Sequence, residues 1–100
     1  MRVIWSPRAY ERLVEIGEYI VDQGRPDAAA SVVDGLLASV GRLRRFPESG
    51  RMLPERPRGD LREVIHGAYR VIYRLDLEQV VALTIRHSRI PISPDDPELQ

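Results

Sequence analysis

The sequence predicts an α+β fold of order β-α-α-β-β-β, a helical hairpin packed on a mostly antiparallel four-stranded sheet. Three observations predict it. A short run of β-formers opens the chain. Two apolar stripes of helical period follow, each introduced by a proline. Three short β-rich runs joined by tight turns close the ordered part.

Arg2-Val3-Ile4-Trp5 is the first strand. Ser6 then offers an N-cap oxygen, and Pro7 suits the first helical position because its missing N–H would be unpaired there. Ala9, Leu13, Ile16 and Ile20 recur at spacings of four, three and four, one face of a helix, while Glu11, Glu15, Glu18 and Asp22 take other positions. Gln23-Gly24 ends it, Gly being free to take the left-handed cap. Pro26-Asp27 starts a second helix with Ala29, Val33, Leu36, Val40 and Leu43 as its stripe. Gly35 and Gly41 inside it each cost about 1 kcal/mol relative to Ala. With Ala28, Ala30, Ser31, Ala38 and Ser39 they give it a small-residue surface suited to close approach. Phe46-Pro47 stops this helix. Residues 48–60 form a loop with Pro54, Pro57, Gly50 and Gly59, and with Arg51, Arg56 and Arg58. Such long loops are commonly functional. Leu61–His66, Tyr69–Leu75 and Gln79–Arg86 are strands of an antiparallel meander, turned at Gly67-Ala68 and at Asp76-Leu77-Glu78. One domain spans 1–90, and a Pro- and acid-rich tail, 91–100, is expected to fray.

The 100 residues suffice for one core, and 43% hydrophobic content argues against disorder. No apolar run is long enough to span a membrane, and the opening is too short and polar for a signal peptide, so a cytoplasmic protein is expected. Cysteine is absent and only His66 and His87 could ligate a metal, so neither a disulfide, a metal site nor a cofactor is expected.

The formal net charge of zero hides three unlike segments. All 15 basic residues are arginine. Residues 1–41 carry four Arg and six acids, 42–89 carry eleven Arg and six acids, and the tail carries Asp95, Asp96 and Glu98. The middle segment, net +5, is therefore the candidate functional half. Side-chain alternation assigns Arg62, Arg70, Arg74 and Arg86 to the sheet face away from the helices, which is expected to be open. Guanidiniums gathered there call for an anion or acidic partner, their planar forks matching phosphate or carboxylate. The alternative is a solvated face paired with Glu63, Asp76 and Glu78.

Several motifs, in this order, resemble the RelE/ParE superfamily of toxins from bacterial toxin–antitoxin modules. They are Val3-Ile4-Trp5-Ser6-Pro7-x-Ala9, Glu18-Tyr19-Ile20, Ala28-Ala29, Phe46-Pro47-x-x-Gly50-Arg51, Leu61-Arg62-Glu63, Tyr69-Arg70-Val71-Ile72-Tyr73-Arg74 and Ile85-Arg86-His87-x-Arg89. The resemblance covers residues 2–90 and implies a microbial-ribonuclease-like fold. It implies one of two activities. ParE-like members inhibit DNA gyrase; RelE-like members cut mRNA at the ribosomal A site without a metal. For cleavage, Arg70 matches the phosphate-binding arginine, with Arg62 and either Arg86 or Arg89 assisting and His87 the late acid. The lysine base and late tyrosine of some relatives are missing, leaving Glu55 or Glu63 as the base. The Trp-Ser-Pro opening, the Gly50-Arg51 loop and the His87-x-Arg89 close resemble ParE-like members more. That reading gives a gyrase inhibitor that is not an enzyme, with Arg51, Arg56, Arg58, Arg62, Arg70, Arg74, Arg86, His87 and Arg89 as its target-binding set. Either activity implies an antitoxin. It is expected to cover an apolar hairpin surface of Leu13, Ile16, Ile20, Leu36 and Val40, to add a strand at a sheet edge, and to bring acids to Arg51, Arg56 and Arg58.

Overall fold

The computed structural model describes residues 1–57 and 59–100. It holds β1 (Arg2–Trp5), α1 (Pro7–Asp22), α2 (Pro26–Gly41), a 3₁₀ turn at Arg42–Arg44, β2 (Arg51–Met52), β3 (Leu61–His66), β4 (Tyr69–Leu75), β5 (Gln79–His87) and a 3₁₀ turn at Pro97–Leu99. The expected α+β class is present with one strand more than expected. The sheet order is β1-β5-β4-β3-β2, with β1 parallel to β5 and every other pair antiparallel. The added strand, β2, pairs Arg51 with Glu63 and Met52 with Arg62. Two residues are too few to show a period in sequence.

Local chemistry fixes the helices as the residues suggest. Ser6 accepts a hydrogen bond from the Ala9 N–H at 3.0 Å and caps α1. Gly24, at φ +77°, turns the chain out of α1. Ala9, Leu13, Leu36 and Val40 meet Val71, Ala82 and Ile85 in one buried cluster between the hairpin and the sheet. Leu43, Tyr73 and Val80 extend it at one end. Gly35 answers the small-residue surface of α2: a methyl there would collide with the His66 imidazole of β3. At Gly41 the space is open.

The second face of the sheet is not open. Ile72, Val81, Leu83 and Leu61 on that face bury against Leu53 from the long loop and Ile92 and Leu99 from the tail. The tail, expected to fray, is a strap. Arg56 donates to the Leu99 carbonyl at 3.4 Å, and Glu98 accepts from Arg12, Thr84 and Arg86. A β-bulge lets the strap engage. Ile72 pairs with Thr84 but Tyr73 with Ala82, so Leu83 is the extra residue. Leu83 and Thr84 therefore both serve the outer face. Among the described residues, no helix is long and apolar enough to cross a membrane.

Candidate functional site

Register decides which arginines share a face. Arg70 of β4 lies opposite Arg86 of β5, and both project to the outer face. Arg74 joins them opposite Val81. Arg62 does not: it pairs with Tyr73, whose ring is in the core on the hairpin side, and its Nη1 donates to the Gly50 and Glu48 carbonyls. The expectation of four outer-face arginines is corrected to three. The two-residue turn 67–68 pairs His66 with Tyr69, and that pairing places Arg62 across from Tyr73. His87 lies opposite Tyr69, against whose ring its imidazole makes an edge contact at 5.7 Å. Tyr69 packs on the hairpin-side core. The nuclease set is thus divided by the sheet, with Arg70 and Arg86 on one side and Arg62 and His87 on the other.

The outer-face guanidiniums are already neutralised from within. Arg70, 5% exposed, places Nη1 2.9 Å from both Glu55 oxygens and 3.1 Å from Glu63, and its Nη2 donates to the Ile90 carbonyl at 3.2 Å. Glu63, with no exposed side chain, also receives Arg51. Burial works against the Arg70 charge, but the hydrogen bonds and attraction of Glu55 and Glu63 outweigh it and raise its pKa. Its Nε is buried without a partner among the described residues. Arg86 reaches Asp96 and Glu98 at 3.0 Å each. Arg74 chelates Asp76 at 2.9 and 3.3 Å, which holds that carboxyl below its ordinary value. Two of the paired acids suggested by sequence, Glu63 and Asp76, are in place, and Glu55, Asp96 and Glu98 complete the set. Glu55 and Glu63, candidate bases by resemblance, are spent as ion-pair partners.

Of the remaining target-binding candidates, Arg51 is exposed but tied to Glu63, Arg56 holds the tail, and Arg58 lies outside the described residues. Arg89 is exposed, and its N–H donates to His87 Nδ1 at 3.2 Å. The apolar residues expected to meet an antitoxin are corrected as well. Leu13, Leu36 and Val40 are core, Ile20 is buried, and Ile16 is half-buried against the same cluster. The stripe that periodicity finds is the one that faces the sheet. The exposed large apolar side chains of the hairpin are Tyr10, Val14, Tyr19, Val21 and Leu37.

Gly50 joins the loop to the sheet. Its N–H donates to the Tyr73 hydroxyl at 3.0 Å, and that hydroxyl donates to the Pro47 carbonyl at 2.7 Å. Burial raises the Tyr73 pKa, with the Gly50 N–H opposing it. A Cβ on Gly50 would stand 2.6 Å from the Glu63 carbonyl oxygen and 2.6 Å from the Tyr73 hydroxyl. Gly50→Ala is therefore expected to destabilise the fold by about 1–3 kcal/mol, the range of overpacked cores. Urea unfolding checks it; a loss under about 0.5 kcal/mol, the scale of ordinary surface substitutions, would refute the steric account.

Comparison with known proteins agrees with this architecture. The model of the family "ParE toxin of type II toxin-antitoxin system, parDE" matches residues 3–91. A Sinorhizobium fredii protein described as "Putative toxin Y4kP" is 39% identical over 88 residues, 87% of this chain and 88% of that one. The chromosomal ParDE toxin–antitoxin system of P. aeruginosa superposes with a TM-score of 0.71 at 18% identity, over 87% of this chain and 95% of that one. The RelBE2 toxin–antitoxin complex of Mycobacterium tuberculosis does so with a TM-score of 0.59 at 27% identity, over 86% and 95%. The α+β architecture of residues 3–91 is thus a ParE-type scaffold, and the chain belongs to the ParE toxin family of type II toxin–antitoxin systems.

Proposed function

We propose that this toxin arrests growth by binding DNA gyrase rather than by cutting mRNA, and that a cognate antitoxin silences it. The observation that carries the reading is the division of the nuclease set. Metal-free RNA cleavage needs a base, an acid and a cation within reach of one phosphate. Arg70 is buried in carboxylates, Arg62 and His87 lie across the sheet from it, and the candidate bases are spent on ion pairs. A protein that acts by binding needs no such cluster. The motifs shared with ParE-like members at both ends of the chain favour the same reading.

The antitoxin reading draws on the solved relatives, one of them a toxin–antitoxin complex. Its docking residues are reassigned from the buried stripe to exposed Tyr10, Val14 and Leu37 on the hairpin. An apolar segment laid there would bury what the isolated chain leaves in water.

The test is paired. Purified toxin is expected to inhibit gyrase supercoiling, or trap its cleavage complex, at micromolar concentration and to leave mRNA intact in a translating extract. Unaffected supercoiling would sink the gyrase reading; codon-positioned cuts would replace it with the nuclease one.

A further inference from the structure

The outer-face arginines of the sheet, Arg70, Arg74 and Arg86, are neutralised, but a free cationic surface among the described residues lies elsewhere. It lies at the end of α2. Arg42, Arg44 and Arg45 are exposed and make no ion pair among the described residues, unlike Arg51, Arg70, Arg74 and Arg86. They occupy one rigid turn. Leu43 between them is fully buried against Tyr73 and Val80, and the Arg45 and Phe46 N–H groups both donate to the Arg42 carbonyl, at 3.1 and 2.9 Å. Arg42, Arg44 and Arg45 line one shared concavity. The Arg42 Nη2 is steadied by the Ser39 hydroxyl at 3.2 Å, which leaves its other donors for a ligand.

An aromatic ring completes the turn. Phe46 is 57% exposed, and the Arg45 guanidinium sits 5.8 Å from its ring centroid. Such an apolar ring in water beside cations is a stacking platform. Ala38 and Gly41, by their lack of bulk, leave an open concavity of about 550 Å³ between the three arginines and Phe46. None of its six lining residues is acidic. The nearest acid in sequence, Glu48, lines a separate cleft with Asp76 and Glu78.

We propose that this corner binds single-stranded nucleic acid, with Arg42, Arg44 and Arg45 on the phosphodiester backbone and a base stacked on Phe46. Charge complementarity selects a polyanion, and the exposed ring selects one that carries flat, uncharged groups between its charges. DNA and RNA share that chemistry. The proposal stands apart from the gyrase reading, because it is measured on the toxin alone.

The experiment is fluorescence anisotropy with the full chain and labelled oligo(dT), oligo(U) and an abasic deoxyribose-phosphate strand, each of about twelve nucleotides, within the span of known single-strand sites. Binding of either base-bearing strand is expected, the tighter of the two naming the source. The double variant Arg44→Gln/Arg45→Gln should lower the slope of log affinity against log salt by about 1.4, two contacts at about 0.7 each. Phe46→Leu should weaken the base-bearing strands about fivefold or more and leave the abasic strand unchanged. Neither variant removes an ion pair, and circular dichroism verifies folding; Phe46→Tyr, which keeps the ring, should bind like the parent. No binding at low salt, binding indifferent to both variants, or loss with Phe46→Tyr equal to that with Phe46→Leu would overturn the proposal. So would a glutamate-rich peptide binding more tightly than either oligonucleotide and losing affinity in the arginine double variant, which would make the corner a protein-docking surface.

Discussion

Arg70→Met is expected to cost about 3–5 kcal/mol of stability, the range for deleting one partner of a buried ion pair. The reason lies in what remains. Glu63 has no exposed side chain and would keep, among the described residues, only Arg51, while the Glu55 carboxylate would stay held over the sheet by its loop. A domain of this size has about 5–15 kcal/mol in all, so the variant would lose a large share of it. At about 4–8 °C per kcal/mol the melting temperature should fall by some tens of degrees. Loss of toxicity in that variant would then report unfolding rather than a missing phosphate contact. The double variant Arg70→Met/Glu63→Leu separates the two. Replacing both buried charges by apolar groups is commonly neutral, and Glu55 and Arg51 retain access to water. Recovered stability with recovered growth arrest would assign Arg70 to the fold. Arg70→Met that melts within about 1 kcal/mol of the parent, yet is harmless in cells, would return it to the working surface.

The helices and the three long strands were legible because their signals are local. Ser6-Pro7 and Pro26-Asp27 state where helices begin, and the stripe from Ala9 to Ile20 states which face is buried. What the stripe does not state is which apolar residues remain for a partner. Periodicity finds the core side, so Leu13, Leu36 and Val40 lie inside, and the exposed Tyr10, Val14 and Leu37 fall between stripe positions. The face of Arg62 was recoverable from turn length, because two residues between strands fix which positions oppose. Alternation within one strand, used alone, leaves parity between strands free. The bulge at Leu83 was not recoverable, because one extra residue in a strand leaves no mark in its local pattern.

The strap shows why the charge pattern misled. Proline and acid enrichment is the composition of a frayed end. Here the same acids answer the arginine face: Asp96 and Glu98 sit on Arg86, while Ile92 and Leu99 fill apolar gaps beside Ile72 and Leu83. The +5 segment and the −3 tail thus meet at Arg86, while Glu98 also reaches Arg8 and Arg12 of α1, contacts visible only when residues distant in sequence are brought together. The adjacent arginines at 42, 44 and 45, among those left without an ion pair, did not stand out in a segment with eleven arginines.

Glu98 makes this interface sensitive to acid. Its side chain joins three elements, receiving Arg12 of α1 at 2.7 Å, Arg8 at 3.5 Å, Thr84 of β5 at 2.7 Å and Arg86 at 3.1 Å. Burial opposes its charge, but the hydrogen bonds from Arg12, Thr84 and Arg86 outweigh it and bring the carboxyl from 4.5 down to about 2. A depressed carboxyl stabilises the fold above its unfolded pKa and loses that contribution as pH falls through the folded one. The contribution is thus complete above 4.5 and gone below about 2. At about 1.4 kcal/mol per pKa step it amounts to about 3 kcal/mol. Glu98→Gln keeps an acceptor for Thr84 but removes the charge. It should cost about 2–3 kcal/mol at pH 7, and the gap between variant and parent should close as the pH is lowered toward 2, whatever other carboxylates contribute, because they titrate in both proteins. Leu99→Ala supplies the contrast: its cost, about 2–5 kcal/mol for a buried leucine, comes from lost apolar burial and should not track the titration of Glu98. Urea unfolding of the three proteins across this pH range reads both. A Glu98→Gln deficit that stays constant with pH would mean that its carboxylate acts by shape alone, and the strap would then be held by Ile92 and Leu99 rather than by charge.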